Sequence, residues 1–304
     1  MPSQGDKLSK GTIPDPPFVS GEGATDLGKV RSGNEDCHRV LIAEKAPPTI
    51  EAIVVVADGM GGHAAGEVAS KMTTDGVVRH LVEGPTPEGD YIEFLSQVVE
   101  QVNQDVHNAG QKPDYQGMGT TCTTAVLKNG KLHIANVGDS RAYILRDRQL
   151  RQITKDHSWV SEQVEAGNLT LEEASKHPYR NVVTRSIGTE NQVKVDKFVE
   201  EARVGDKFLL CSDGLHSVVD DEDIQTELIR TTEPHAICQA LIELANTNGG
   251  PDNITDKPRW SYLFSYSPSD TRYWNGNAGN WGSERKRLSA PDNPTVHLPE
   301  SVEV

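Results

Sequence analysis

The spacing of apolar residues changes several times along the chain, and each change marks a different kind of element. Runs over 37–43 and 52–57 read as strands, and the second is nearly all β-branched, the pattern of a strand buried on both faces. Helical spacing follows. Ala65, Val68, Ala69, Met72, Val77, Val78 and Leu81 form one apolar side, which Gly76 is expected to break or kink. A second stripe, Ile92, Leu95, Val99, Val102 and Val106, predicts a helix over 91–109. From Gly119 onward the period is that of strands. Runs over 121–127 and 131–137 flank Lys128-Asn129-Gly130, a hairpin signal because Asn-Gly accepts the positive φ angles of a type I′ turn. Runs over 141–145 and 150–154 predict a second hairpin, and local antiparallel pairing of this kind argues against a doubly wound parallel sheet.

Residues 156–190 carry few apolar positions and read as a surface insertion, with short polar helices over 158–166 and 171–175. Strands resume over 193–199 and 207–211. A helix over 234–245 opens with Pro234 and is followed by Gly249-Gly250, the usual asymmetry of helix ends. Residues 1–20 are polar and hold Pro14, Pro16 and Pro17, as expected of a disordered arm. Near the other end Tyr262, Phe264 and Tyr266 alternate with other residues and predict one closing strand, and 267–304 is expected to be irregular.

Composition narrows the function classes. With 304 residues, 35% hydrophobic and 25% charged, the chain is expected to be a soluble globular protein. It has no apolar run of about 18 residues and no basic-then-apolar leader, so a cytoplasmic location is expected. The net charge of −15 argues against nucleic acid and anionic membranes as partners. It also means that action on a phosphate would need cations to reverse the local field. The four cysteines show no C-x-x-C spacing, which argues against disulfides and zinc.

Four aspartates stand out. Asp58 lies in Ala57-Asp58-Gly59-Met60-Gly61-Gly62-His63, Asp139 in Val137-Gly138-Asp139-Ser140-Arg141, Asp213 in Leu210-Cys211-Ser212-Asp213-Gly214, and Asp252 in Gly250-Pro251-Asp252-Asn253-Ile254-Thr255. Any one of them is explained by turn chemistry. Together they offer hard oxygen ligands of the type Mg²⁺ and Mn²⁺ take, and Gly59 would let its backbone carbonyl approach a cation. The segment Lys29-Val30-Arg31-Ser32-Gly33-Asn34-Glu35-Asp36 adds Arg31, a planar fork suited to phosphate, and Glu35 and Asp36 as acceptors for metal-held waters.

These motifs, with Gly66-Glu67 and Gly117-Met118-Gly119-Thr120-Thr121, resemble in order and type those of the bacterial branch of the PP2C-type metal-dependent protein serine/threonine phosphatases. The resemblance spans residues 26–255. It implies an α+β fold, a four-layer α-β-β-α sandwich of two antiparallel sheets flanked by helices, with the phosphatase domain over 21–266 and its flap at 156–190. It also implies two core Mn²⁺ or Mg²⁺ ions, with Asp58 bridging them, the Gly59 carbonyl on one, and Asp213 and Asp252 completing the protein ligands. Asp139, with Asp213, matches the position of a weaker third ion. Hydrolysis of phosphoserine and phosphothreonine by a metal-activated water follows, with Arg31 on the phosphoryl group and phosphorylated proteins as partners of a monomer that opposes a bacterial Ser/Thr kinase.

Met60 stands where some relatives carry a proton-donating histidine, and a thioether cannot donate, so water of the centre is expected to serve. His63 is assigned mainly to the helix start. No nucleophile is assigned to Cys37, Cys122 or Ser140. Two other functions compete: a catalytically impaired relative that binds phosphoproteins, and a small-molecule phosphatase. The sequence departs from the family at Asp256-Lys257-Pro258-Arg259, where proline argues against a central strand. A displaced strand at 260–266, an appendage and an altered reading frame each account for that departure.

Overall fold

The computed structural model describes residues 18–28, 33–42, 45–47, 49–61, 63–84, 87, 89–249 and 259–267. Two five-stranded antiparallel sheets dominate. With strands numbered in chain order, the first sheet runs β1 (Phe18–Asp26), β12 (Arg259–Ser267), β11 (Lys207–Cys211), β8 (Arg141–Arg146), β9 (Gln149–Gln152). The second runs β10 (Asp196–Glu201), β7 (Lys131–Val137), β6 (Cys122–Lys128), β3 (Ala52–Ala57), β2 (Cys37–Ile42). A short ladder pairs β4 (Gly59–Met60) with β5 (Gly119–Thr120).

Alternation of side chains produces the layers. Val54, Val56, Ala125, Leu127, Leu132 and Ile134 of the second sheet meet Ala142, Ile144, Phe208 and Leu210 of the first in a core between the sheets. The alternate residues Ile53, Val55, Val126 and Ala135 pack outward under helices α1 (His63–Glu83) and α2 (Tyr91–Ala109). Tyr143, Leu145, Leu209 and Cys211 pack outward under α5 (Asp213–His216), α6 (Asp221–Arg230) and α7 (Pro234–Asn248). The result is the α-β-β-α sandwich expected above. The all-buried β3 reflects its central position with a core on each side.

The 128–130 turn has φ of 52° at Asn129 and 70° at Gly130, as the Asn-Gly signal requires. Three expectations need correction. Gly76 does not interrupt α1; a Cβ there would sit 3.1 Å from Val102 of α2, so this glycine permits close helix packing. β12 is a central strand, paired to β1 by Phe18↔Ser267 through Asp26↔Arg259 and to β11 by Lys207↔Ser265 through Leu210↔Tyr262. Proline is compatible with this because Pro258 precedes the strand and takes no ladder donor from its interior. β1 begins at Phe18, inside the stretch expected to be an arm; the rest of that arm and residues 268–304 lie outside the described residues.

Helix α6 gave no sequence signal because it buries just Ile224 and Leu228. Its C-terminal end is held from β11, where buried Lys207 Nζ donates to the Leu228 and Thr231 carbonyls at 2.5 Å each. Burial depresses the Lys207 pKa.

Candidate metal centre

Strand register brings distant parts of the chain to one end of the sandwich. Cys37↔Ala57 places Asp36, just before β2, beside Asp58, just after β3. Cys122↔Val137 puts Thr121 next to the Gly138-Asp139 turn. Cys211↔Arg141 puts Ser212-Asp213 next to Asp139-Ser140 across the other sheet. Asp58, Asp139 and Asp213 are 5%, 4% and 4% exposed, and Glu35 and Asp36 are also buried. Five carboxylates withdrawn from water at one end is a costly arrangement that a hard cation would relieve.

The loops are locked by backbone contacts. Gly59 N–H donates to Glu35 O at 3.2 Å, and Ser70 of α1 donates to the same carbonyl at 2.5 Å. A Cβ on Gly59 would overlap Gly66 O and Glu35 O. A Cβ on Gly66 would lie 3.2 Å from the Glu35 carboxyl carbon, so the first turn of α1, the Glu35 loop and Gly59 are in direct contact. Asp36 Oδ2 accepts from Ser212 Oγ at 2.9 Å and thereby links β2 to the residue beside Asp213.

A buried hydroxyl network then joins Asp58 to Asp139. The Asp58 N–H donates to Thr121 Oγ1 at 2.8 Å, and Thr121 Oγ1 lies 2.8 Å from Ser140 Oγ. The Asp58 carbonyl accepts from Thr121 N and Thr120 Oγ1, both at 2.9 Å. Gly138 has φ of +105°, and a Cβ there would meet Thr121 side-chain carbons at 2.6 Å. Two histidines that the sequence reading passed over grip this turn. The Gly138 N–H donates to His157 Nδ1 at 3.0 Å, and His157 Nε2 lies 3.2 Å from Asp196 Oδ2 and 2.8 Å from Arg185 Nη1. His216 Nε2 donates to the Asp139 carbonyl at 3.0 Å. Burial, with Arg141 beside it, lowers His216 to about 4, and burial also lowers His157, so both rings are neutral.

Beneath the site Arg141 and Asp156 form a forked pair, with Nε to Oδ1 at 3.0 Å and Nη2 to Oδ2 at 2.7 Å. Arg141 Nη1 also donates to Tyr143 Oη at 2.9 Å. Burial pushes the Asp156 carboxyl up, but the Arg141 charge and hydrogen bonds outweigh it and hold it below the usual 3.8. A depressed carboxyl contributes stability that is complete above its unfolded value and is lost as pH falls through the lower folded value. Asp156→Asn is therefore expected to cost about 2 kcal/mol at pH 7, because it leaves the half-buried Arg141 without its charge partner. Urea denaturation should show that penalty shrinking below about pH 4.

The model of the protein phosphatase 2C family matches residues 34–247. The chain belongs to the protein phosphatase 2C family. It is 41% identical over 232 residues to the serine/threonine protein phosphatase PstP of Mycobacterium tuberculosis, covering 76% of this chain and 43% of PstP, so it spans less than half the length of that relative. It is 40% identical over 238 residues to the serine/threonine phosphatase stp of Listeria monocytogenes, with 76% and 91% covered. Among solved structures, the PstP catalytic domain in complex with 2 manganese ions superposes with a TM-score of 0.70 at 36% identity, covering 83% of this chain and 99% of that one.

In this PP2C chain two expected site residues, Arg31 and Asp252, lie outside the described residues, as does the side chain of His63. Met60 is half-buried in β4. Among the described residues no group of three or more His, Cys, Asp and Glu side chains is arranged to hold a metal ion. The donor chemistry still fits a small hard cation, because Mg²⁺-type sites use one or two carboxylates and complete their shell with water and substrate phosphate. None of the four cysteines is in a disulfide. Burial pushes Cys122 up to about 11 and Cys211 up as well, so neither is a ready nucleophile. No helix among the described residues is long and apolar enough to cross a membrane.

The segment over 156–190 carries α3 (Trp159–Glu165) and α4 (Leu171–Lys176). Arg185 Nη1 donates to Asp196 Oδ1 at 2.8 Å, fastening the insertion to β10. At its far end Asn103 of α2 accepts from Gly188 N at 2.8 Å and donates to the Glu190 and Asn191 carbonyls at 3.0 and 3.2 Å. Asn103 is fully buried. Asn103→Leu is expected to destabilise the fold by about 2–3 kcal/mol by orphaning the Gly188 N–H. Hydrogen exchange should speed up over 186–191 ahead of the sheets.

Proposed function

We propose that this protein hydrolyses phosphoserine and phosphothreonine in other proteins, using Mn²⁺ or Mg²⁺. Its substrates on this reading are proteins phosphorylated by a bacterial Ser/Thr kinase. The observation that carries it is the gathering of Asp58, Asp139 and Asp213, all buried, at one end of the sandwich in a PP2C family member.

Two ions would be held by Asp58, the Gly59 carbonyl, Asp213 and Asp252, with a weaker third on Asp139 and Asp213. When bound, such ions supply Lewis acidity and lower the pKa of water at the site. The chain's own residues do the rest. Arg31 would orient the phosphoryl group with its guanidinium fork. Glu35 and Asp36 accept hydrogen bonds from waters and so fix the approach of the attacking one, with Asp36 itself oriented by Ser212. Thr120 and Thr121 hold the backbone of Asp58 so that its carboxylate needs no reorganisation during the reaction. Met60 offers no proton to the leaving alkoxide, which leaves that task to water held at the site.

Purified protein should release phosphate from a phosphothreonine peptide with Mn²⁺ and lose that activity in EDTA. Activity that survives EDTA overturns the metal mechanism. Preference for free phosphate esters over the phosphopeptide would overturn the protein-substrate reading.

A further inference from the structure

We infer that His216 is a positioning residue that sets the weaker ion site by tying the Asp139 turn to the helix that carries Asp213. The inference rests on the three-ion reading above. Asp139 and Asp213 come from different places: Asp139 from the turn between β7 and β8, Asp213 from the first turn of α5 after β11. A site shared between them depends on the distance between two short segments, neither of which is long enough to be rigid alone. α5 has four residues.

His216 closes that gap. It sits in the same short helix as Asp213, and its Nε2 donates to the main-chain carbonyl of Asp139 at 3.0 Å. Within α5, Ser217 N donates to Asp213 O at 3.0 Å, so the imidazole and the Asp213 backbone move as one unit. On the other side the turn is held by His157 through the Gly138 N–H and by Ser140 through Thr121. Those contacts fix the turn to the insertion stem and to β6, while His216 fixes it to α5. Its ring touches neither phosphate nor ion on this reading, so its effect reaches the chemistry through Asp139 alone.

The test compares His216→Ala with His216→Gln in the full chain, because the Gln Nε2 amide can reach the position of the imidazole Nε2–H. Mn²⁺ titration followed by calorimetry should show two tighter events and one weaker event in the wild type. His216→Ala is expected to weaken the weaker event by about 10–100-fold, the range for residues that orient a ligand, and to leave the tighter pair unchanged. His216→Gln should recover most of the loss. In turnover assays the kcat lost by His216→Ala should return at high Mn²⁺.

A weaker event unaltered by His216→Ala overturns the inference, as does a Gln variant that behaves like Ala. A uniform loss of all binding in step with a lowered Tm would reduce His216 to a packing residue. If the wild type shows the tighter pair and no weaker event, the third ion and this role for His216 fall together while the two-ion reading stands. If it binds no Mn²⁺ at all, the metal reading itself fails.

Discussion

Asp58→Asn is expected to lower Mn²⁺-dependent phosphate release from a phosphothreonine peptide by on the order of a thousandfold, about 4 kcal/mol of barrier. The substitution is nearly isosteric, and the bonds of residue 58 to Thr121 and Thr120 are made by its backbone and are kept, so the fold should survive. What changes is charge. An amide has one acceptor oxygen and no negative charge, so it cannot bridge two divalent ions as a carboxylate can. A second measurement separates lost chemistry from lost structure. Mn²⁺ should raise the Tm of the wild type, because an ion that binds the folded state alone stabilises it. In Asp58→Asn that rise should be absent or much reduced, while the Tm without metal stays close to wild type. Asp213→Asn should behave similarly in activity. A variant that keeps more than a tenth of wild-type turnover would show that Asp58 is not a ligand the reaction needs.

The second large effect is on stability. Gly59→Ala places a methyl against the Gly66 and Glu35 carbonyl oxygens, both backbone atoms fixed by their own elements. Neither can yield as a flexible side chain would, since Gly66 lies in α1 and Glu35 O already accepts from Gly59 N and Ser70 Oγ. Overpacking of this type costs 1–3 kcal/mol in ordinary cores, and two backbone clashes at once place this case at about 3 kcal/mol or above. For a domain of this size that is a fall in Tm on the order of 10 °C. Urea denaturation of Gly59→Ala against Gly130→Ala gives the control. A Cβ on Gly130 meets nothing within 4 Å, so its cost is that of the left-handed φ of 70° and should be about 1–2 kcal/mol. Gly59 has no positive φ of its own, so equal costs at the two positions would mean that α1 and the Glu35 loop shift to admit the methyl.

The layers and the candidate site differ in how legible they were. Helices α1 and α2, the β6–β7 hairpin and the β8–β9 hairpin were readable because their signals are local: a stripe of apolar residues, or an Asn-Gly turn between two short runs. α6 was not, since two buried residues make no stripe, and its stability comes from the core beneath it and from Lys207 at its end. Gly76 was misread for the opposite reason. Its local signal was real, but Val102 of the neighbouring helix decided its use. β12 was legible as a closing strand, but Pro258 argued against a central place for it, and only the ladder on both sides shows that it is central.

The site shows the same division. Asp58, Asp139 and Asp213 announced themselves because each follows a strand and neighbours a glycine, a pattern written in a few consecutive residues. His157 and His216 carried no such mark. A histidine 19 residues from Gly138, or 77 from Asp139, becomes a positioning group through pairing of strands that are distant in the chain. By itself the sequence determined which residue types could bind metal and phosphate, most of the longer elements in their order, and the family. The tertiary structure decided which strand ends coincide, which glycine is a contact and not a break, and which imidazoles hold the Asp139 turn. The physical reason is that turns and amphipathic stripes are specified within a few residues. Register across sheets and the burial of a polar group are set by contacts between segments that the chain keeps far apart.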